Sequence, residues 1–109
     1  LSVMFMIQEG VTFDFGYWTV KPGLEDFFLE KWQKFAQWTL NHYKGIRWVY
    51  MVRDQERSNE FISFAPWDSP KSIAEWRQSS KYIAAVAELK DLCEGIEPGT
   101  MIEVTHVKR

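Results

Sequence analysis

Alternating and helical hydrophobic patterns divide the chain into six predicted elements. Residues 11–20 alternate as a β-strand does, with one mainly apolar face and one mixed face that carries Asp14. Apolar side chains then recur every three to four residues over 24–44, which predicts an amphipathic helix. The other predicted elements are strands over 46–53 and 59–65, a helical region over 70–94 with a break at Ser79-Ser80, and a last strand over about 100–107.

Turn-forming and capping residues set the predicted boundaries. Pro66 is expected to end the third strand, Gly95 the second helical region, and Pro98-Gly99 to form a turn before the last strand. Ser69 and Pro70 are a typical N-cap and first helical residue. The order strand, helix, strand, strand, helix, strand predicts an α+β fold of the ferredoxin-like βαββαβ type. In that fold a four-stranded antiparallel sheet carries its helices on one face.

The two central hairpin strands carry large apolar side chains on both faces. This is unusual for an antiparallel sheet with one solvated side. We therefore expect a second copy to cover the face that the helices leave open, and we predict a homodimer. We assign Met51 to that interface and expect Met51→Lys to disturb it.

Composition and charge narrow the class of protein. A chain of 109 residues predicts one domain over 1–109, with 1–10 as an N-terminal arm or extra strand. The net charge of −2 and the lack of a basic stripe exclude nucleic-acid binding, and no apolar run approaches the ~18 residues of a membrane helix. The lone Cys93 indicates a cytoplasmic protein. His42 and His106 lack metal-ligand spacing, so we predict no metal and no cofactor.

The stretch with the most candidate functional side chains is residues 59–77, where a predicted strand leads into a predicted helix and one tryptophan lies on each side of the junction. Trp67 and Trp76 either wall a pocket or fill the core, and Ser63 either contacts a ligand or bonds to a backbone carbonyl. Asp14 is the least expected charge in the sheet. It requires a partner such as Arg47 or Arg53, or it faces a cavity with a raised pKa.

At three places the sequence resembles the antibiotic biosynthesis monooxygenase family. The first is the strand, Pro-Gly-type turn, acidic helix start and Phe over Val20–Phe27, and the second is the helix-ending Gly45 followed by a strand. The third is the strand–Trp–acid–Ser–helix junction over Phe64–Ser69, with Ile73 and Trp76 after it. The resemblance covers about residues 11–107 and implies a dimeric α+β barrel.

The resemblance also implies an activity and candidate residues. Some family members oxidise aromatic polyketides with oxygen and without metal or flavin. Trp67 matches their active-site Trp, Ser63 stands where they have Asn, and Ile73 where they have Tyr. We therefore predict a cofactor-independent monooxygenase-like enzyme for a small aromatic or quinone-like compound. Trp67 and Ser63 are its candidate catalytic residues, and the candidate substrate contacts are Trp76, Tyr17, Asp14 and Ile73.

Two alternatives stand beside this hypothesis. Other family members degrade haem, but Val86 and Gly16 occupy the positions of their axial His and first-strand Asn, which argues against that route. The second alternative is a non-catalytic dimer that binds a small molecule or has only a structural role. The replaced Asn and Tyr favour this alternative, whereas the aromatic junction favours the enzyme.

Overall fold

The computed structural model describes residues 11–109, and the predicted arm or extra strand at 1–10 lies outside the described residues. Its elements are β1 (Thr12–Val20), α1 (Glu25–His42), β2 (Tyr50–Arg53), β3 (Glu60–Trp67), α2 (Pro70–Gln78), α3 (Ser80–Asp91) and β4 (Cys93–Ile102). The strands form one antiparallel sheet in the order β2-β3-β1-β4. The predicted α+β, ferredoxin-like fold is confirmed.

The mixed face of β1 is the one that the helices cover. Trp18 and Val20 are buried there against Phe28 of α1, while the alternate residues point to the other side of the sheet. Gly16 and Asp14 follow on the same covered face. The strand therefore directs its glycine and its carboxylate into the interior of the protein.

The interior consists of two hydrophobic clusters along the covered face. The first is built by β1, α1, β3 and α3 around Phe28 and Phe61. The second is built by α1, β3 and α2 around Trp67 and Trp76, whose ring centroids lie 5.1 Å apart. Large aromatic side chains dominate both clusters, and rings of this size leave gaps where they do not interlock.

The predicted second strand is too long, and the third is too short. Regular pairing in β2 begins only at Tyr50, and before it Ile46 makes a single isolated bridge to Trp67. The third strand continues through Pro66 to Trp67. Proline is tolerated there because β2 pairs with β3 only up to Phe64, so no neighbour on that side requires the missing N–H.

The last strand was predicted too far along the chain, by seven residues at its start and five at its end. The helix ends at Asp91, not at 94, and the last strand is Cys93–Ile102 instead of 100–107. Gly95 and Pro98-Gly99, which we expected to end the helix and turn the chain, lie inside β4. This strand is at the sheet edge, where a proline and glycines interrupt only one ladder.

A clean break divides the second helical region, as the sequence predicted. Ser69 caps α2 by accepting from the Ser72 backbone N–H over 3.2 Å, and Pro70 follows at the first helical position. Ser79 then caps α3 by accepting from the Tyr82 N–H over 3.1 Å. The break at Ser79 sets α3 on a new direction and leaves Arg77 at the end of α2.

The sheet face away from the helices is apolar and aromatic; we call it the open face. Tyr50 and Val52 are 58% and 46% exposed on it, and Trp48 contacts Phe13, Tyr50 and Phe64 there. The assignment of Met51 to this face was wrong. Met51 packs against the first cluster, because alternation along β2 turns its side chain toward the helices.

Candidate functional site

A narrow cavity of about 60 Å³ lies between the covered face of the sheet and the helices. Both hydrophobic clusters contribute to its wall, so it occupies the space that they leave between them. The lining is mainly apolar, and its polar residues are Asp14, Tyr17, Thr39, Ser63, Tyr82 and Glu97. Its aromatic side walls are Trp18, Trp32, Phe35 and Trp76. An apolar cleft with few polar groups is the usual form of a small-molecule site.

Gly16 makes room for a hydrogen bond at one wall of the cavity. The indole Nε1–H of Trp18 donates to the Ser63 hydroxyl over 2.9 Å across β1 and β3. A Cβ on Gly16 would lie 2.8 Å from that nitrogen and 2.9 Å from that oxygen. Ser63 accepts this bond, and no acceptor for its own O–H exists among residues 11–109. A serine hydroxyl that accepts one hydrogen bond can also donate one, so Ser63 is able to donate to a ligand.

A second indole is fixed in the same way on the helical side. Trp76 Nε1–H donates to Thr39 Oγ1 over 3.1 Å, and the Thr39 hydroxyl donates to the Phe35 carbonyl over 3.0 Å. The Phe35 ring stacks on Trp76 with the two planes 10° apart. This pairing fixes the orientation of the Trp76 ring, because its polar edge and its face both have partners.

Asp14 forms an ion pair inside the fold. Arg77 Nη2 donates to Asp14 Oδ1 over 2.7 Å, and the two side chains are 25% and 16% exposed. Burial raises the pKa of Asp14 above its usual value, although the hydrogen bond and charge of Arg77 act to lower it. A carboxylate in this state accepts a proton more readily than an exposed aspartate does.

The predicted partners of Asp14 were wrong. Arg47 Nη2 lies 3.9 Å from Asp68 Oδ1, and the guanidinium of Arg53 lies over the ring of Phe61. Both arginines belong to the β2 side of the sheet, and β3 separates that strand from β1. Arg77 reaches Asp14 instead because α2 ends beside β1 and β4.

The cavity brings together only some of the predicted site residues. Ser63, Trp76 and Asp14 line it. Trp67 and Ile73 are 2% exposed in the second cluster and do not belong to the lining described for the cavity, so both lie in the core. Tyr17 borders the cavity through β1, but its side chain alternates with Gly16 and Trp18 and points to the open face. The assigned roles of these residues stay predictions.

Three polar residues of the site escaped the sequence analysis. Arg77 and Tyr82 flank the helix break, and Thr39 lies on the core stripe of α1. Burial raises the pKa of the Tyr82 hydroxyl, and Arg77 acts to lower it. The break at Ser79 was the signal available in the sequence, since side chains around a helix break are directed differently from those of a continuous helix.

The described residues carry neither a metal-binding cluster nor a membrane-spanning helix. Residues 11–109 contain no group of three or more His, Cys, Asp or Glu side chains placed to hold a metal ion. In the same part of the chain, no helix combines the length and apolar character needed to span a membrane. Cys93 is buried, and burial raises its pKa to about 11, so it is not an activated thiolate.

The sequence matches the antibiotic biosynthesis monooxygenase family over residues 15–88, about two thirds of the chain. The protein belongs to this family. The match begins within β1 and ends in α3, so it includes most of the elements that build the cavity. A comparison with curated protein sequences finds no match.

Solved structures share the fold of this family member. SnoaB, a cofactor-independent oxygenase from Streptomyces nogalater, superposes with a TM-score of 0.81 at 13% identity, covering 92% of this chain and 99% of that one. A protein from Nitrosomonas europaea that carries the family name gives 0.78 at 13% identity, covering 89% and 93%. A conserved protein from Methanosarcina mazei gives 0.76 at 14%, covering 94% and 99%. At these identities the similarity establishes the fold alone.

Proposed function

We propose that the protein is a cofactor-independent monooxygenase-like enzyme that acts on a small aromatic or quinone-like compound. One observation carries the proposal: an aromatic-walled cavity with a hydroxyl, that of Ser63, whose proton has no acceptor among residues 11–109. Family membership and the similarity to a cofactor-independent oxygenase support the same reaction class. A single water needs about 10–15 Å³ of such space, so the 60 Å³ cavity favours a one-ring compound.

The reaction needs little from the protein beyond orientation and exclusion of water. A ring-activated CH₂ group loses a proton, and the resulting carbanion gives electrons to O₂. Overall, CH₂ and O₂ become C=O and H₂O, so the substrate supplies all four electrons. The aromatic walls orient the ring and remove water from it. The Ser63 hydroxyl donates to the oxygen that gains negative charge, which lowers the cost of forming the anion.

A specific observation favours a second candidate, a non-catalytic small-molecule-binding protein. Three of the polar side chains that line the cavity already have an internal partner: Ser63 with Trp18, Thr39 with Trp76, and Asp14 with Arg77. Such pairs stabilise a fixed pocket without requiring turnover. The two candidates differ in one measurable respect, because only the enzyme consumes oxygen.

Oxygen uptake by the purified, chelator-treated protein tests the enzyme. (4-Hydroxyphenyl)acetone, a one-ring compound whose CH₂ group is activated by its ring and its carbonyl, serves as the substrate in a closed oxygen-electrode cell, with product spectra recorded in parallel. We expect uptake that survives the chelator and falls at least tenfold in Ser63→Ala, since the donor to the developing anion is lost. Ser58→Ala, an exposed serine in the β2–β3 loop, is the matched control. Ligand binding without any oxygen uptake would assign the second candidate instead.

We further propose that a second copy of this chain covers the open face. Large apolar side chains are exposed on it, including Tyr50, Val52 and Met101 at 58%, 46% and 51%. Patches of this kind on a sheet are typical of subunit interfaces. Light scattering of the eluting protein tests the proposal, and a mass of one chain at micromolar concentration would contradict it.

A further inference from the structure

Asp14 presents one bonded and one unbonded carboxylate oxygen at the wall of the cavity. Arg77 donates to Oδ1, whereas no hydrogen bond from residues 11–109 reaches Oδ2. The Asp14 side chain is 16% exposed, so it is not fully enclosed by the residues around it. Asp14 belongs to the lining of the cavity, which offers the unbonded oxygen a place to meet a ligand.

Arg77 fixes the direction in which Asp14 presents its free oxygen. Its guanidinium donates to Thr100 Oγ1 over 2.6 Å and to the Gly99 carbonyl over 2.7 Å, in addition to Asp14. Arg77 itself is not part of the lining described for the cavity. A planar guanidinium with partners on two elements has little freedom to turn. A ligand in the cavity therefore meets the free oxygen of a carboxylate whose negative charge is already balanced by Arg77.

Ser63, the hydrogen-bond donor, lies on β3, and Asp14, the acceptor, lies on the neighbouring strand β1. Gly16 pairs with Ser63, so Asp14 and Ser63 are diagonal neighbours on the covered face. Such neighbours lie about 7–8 Å apart between Cα atoms. A single aromatic ring with oxygen substituents at opposite ends is of the size that spans this separation.

We propose that Asp14 is a specificity-determining residue that selects ligands carrying a hydroxyl donor, and that Arg77 is its positioning residue. A hydroxyl at one end of the ring donates to Asp14 Oδ2, while a carbonyl at the other end accepts from Ser63. A quinone without a hydroxyl would set its carbonyl oxygen against the carboxylate and leave Asp14 unbonded. The inference rests on the proposed function only in requiring that an aromatic ligand occupy the cavity, and it does not require turnover.

Calorimetric titration with two matched compounds tests the proposal. 4-Hydroxyacetophenone carries both groups, and 4-fluoroacetophenone replaces the hydroxyl by a fluorine of similar size that cannot donate. We expect the unmodified protein to bind the hydroxyl compound about tenfold to hundredfold more tightly, the range for a hydrogen bond to a charged group.

Three variants connect that preference to Asp14. Asp14→Asn keeps the shape but removes the charge, and we expect the preference to fall below about fivefold. The double variant Asp14→Ala/Arg77→Met removes both charges, so that neither is left buried alone; it should bind both compounds equally. Asp68→Asn disrupts another Asp–Arg pair, outside the cavity, and should keep the full preference.

Arg77→Lys separates positioning from simple charge balance. Lysine retains the charge but cannot donate in a fork to Asp14, Thr100 and Gly99 together. We expect it to weaken binding of the hydroxyl compound while leaving the fluoro compound unchanged. Equal weakening for both compounds would assign Arg77 a structural role and overturn its part of the proposal.

The outcomes separate this inference from the proposed function. Equal affinity of the unmodified protein for both compounds overturns the specificity role while the cavity remains a binding site. A preference that survives in both Asp14 variants also overturns it, since another group must then accept the hydroxyl. Binding of neither compound overturns the proposed function and the inference together.

Discussion

Replacing Gly16 by alanine tests the packing at the centre of the candidate site. The new methyl carbon would lie 2.8 Å from Trp18 Nε1 and 2.9 Å from Ser63 Oγ, distances at which one of these groups has to move. Ser63 is 5% exposed, and Trp18 packs on Phe28 with ring centroids 5.3 Å apart, so neither group moves without disturbing a neighbour. The movement breaks the hydrogen bond that joins them.

Two costs follow from that movement. Leaving the buried indole N–H without its acceptor costs about 1–3 kcal/mol, and overpacking of a dense interior costs about 1–3 kcal/mol. One displacement causes both costs, so they overlap and do not simply add. Alanine also restricts the unfolded chain, which offsets about 0.4–1 kcal/mol of the lost stability. We expect the free energy of unfolding to fall by about 2–3 kcal/mol, a large share of the ~5–15 kcal/mol typical of a domain.

Urea denaturation followed by circular dichroism measures this change. Gly95→Ala is the matched control: the glycine lies in β4, and a Cβ there meets nothing within 4 Å. It should leave stability unchanged or raise it by up to about 1 kcal/mol. Gly16→Ala should also cost less when Trp18 is Phe, because the clashing nitrogen is then absent. Equal effects of Gly16→Ala and Gly95→Ala would refute the reasoning.

Further predictions concern the open face, the ion pair and the thiol. If the proposed dimer forms through the open face, Val52→Lys should give the mass of one chain in light scattering with little loss of stability. Met51→Lys should instead lower the free energy of unfolding by about 2 kcal/mol or more, because it buries a charge. The reverse result would show that the two faces of β2 are exchanged. The pKa of Asp14 is higher in the folded state than in the unfolded state, so the folded state holds the proton more tightly. The stability that this proton contributes is therefore lost as pH rises from about 4, the pKa of an unfolded aspartate, through the folded-state pKa. In urea titrations over that window, the stability of the unmodified protein relative to Asp14→Asn should therefore decrease with pH, and an increase would contradict the sign. The thiol of Cys93 is buried and its pKa is raised to about 11. A disulfide reagent at pH 8 should therefore label Cys93 slowly in the native protein and at once in urea. Fast labelling of the native protein would contradict this prediction.

The sequence predicted the fold wherever side-chain periodicity was strong. β1 and α1 were found within two residues at each end, because both have long amphipathic patterns. β4 was misplaced because the local sequence around Gly95 and Pro98-Gly99 predicts a helix end and a turn, and not a strand. A strand at a sheet edge tolerates them, and edge position depends on strand order, which no local pattern contains.

The candidate site was predictable only in part, for a similar reason. Residue type alone singled out Asp14, since an aspartate in an apolar strand requires an explanation. Its partner Arg77 is 63 positions away and reaches it only because α2 stops beside β1. Likewise, alternation placed Trp67 near the junction but did not reveal that its ring packs into the second cluster, beside the cavity and not on its wall.

The distribution of tryptophan through the fold gives the protein a built-in optical reporter. Trp18, Trp32 and Trp76 line the cavity, whereas Trp48 lies on the open face. Indole emission responds to the polarity of its surroundings, so filling the cavity and pairing the open faces should each change the fluorescence. Replacing Trp48 by Phe removes the second response and keeps the first. Comparison of that variant with the unmodified protein then separates cavity occupancy from subunit association without any added label.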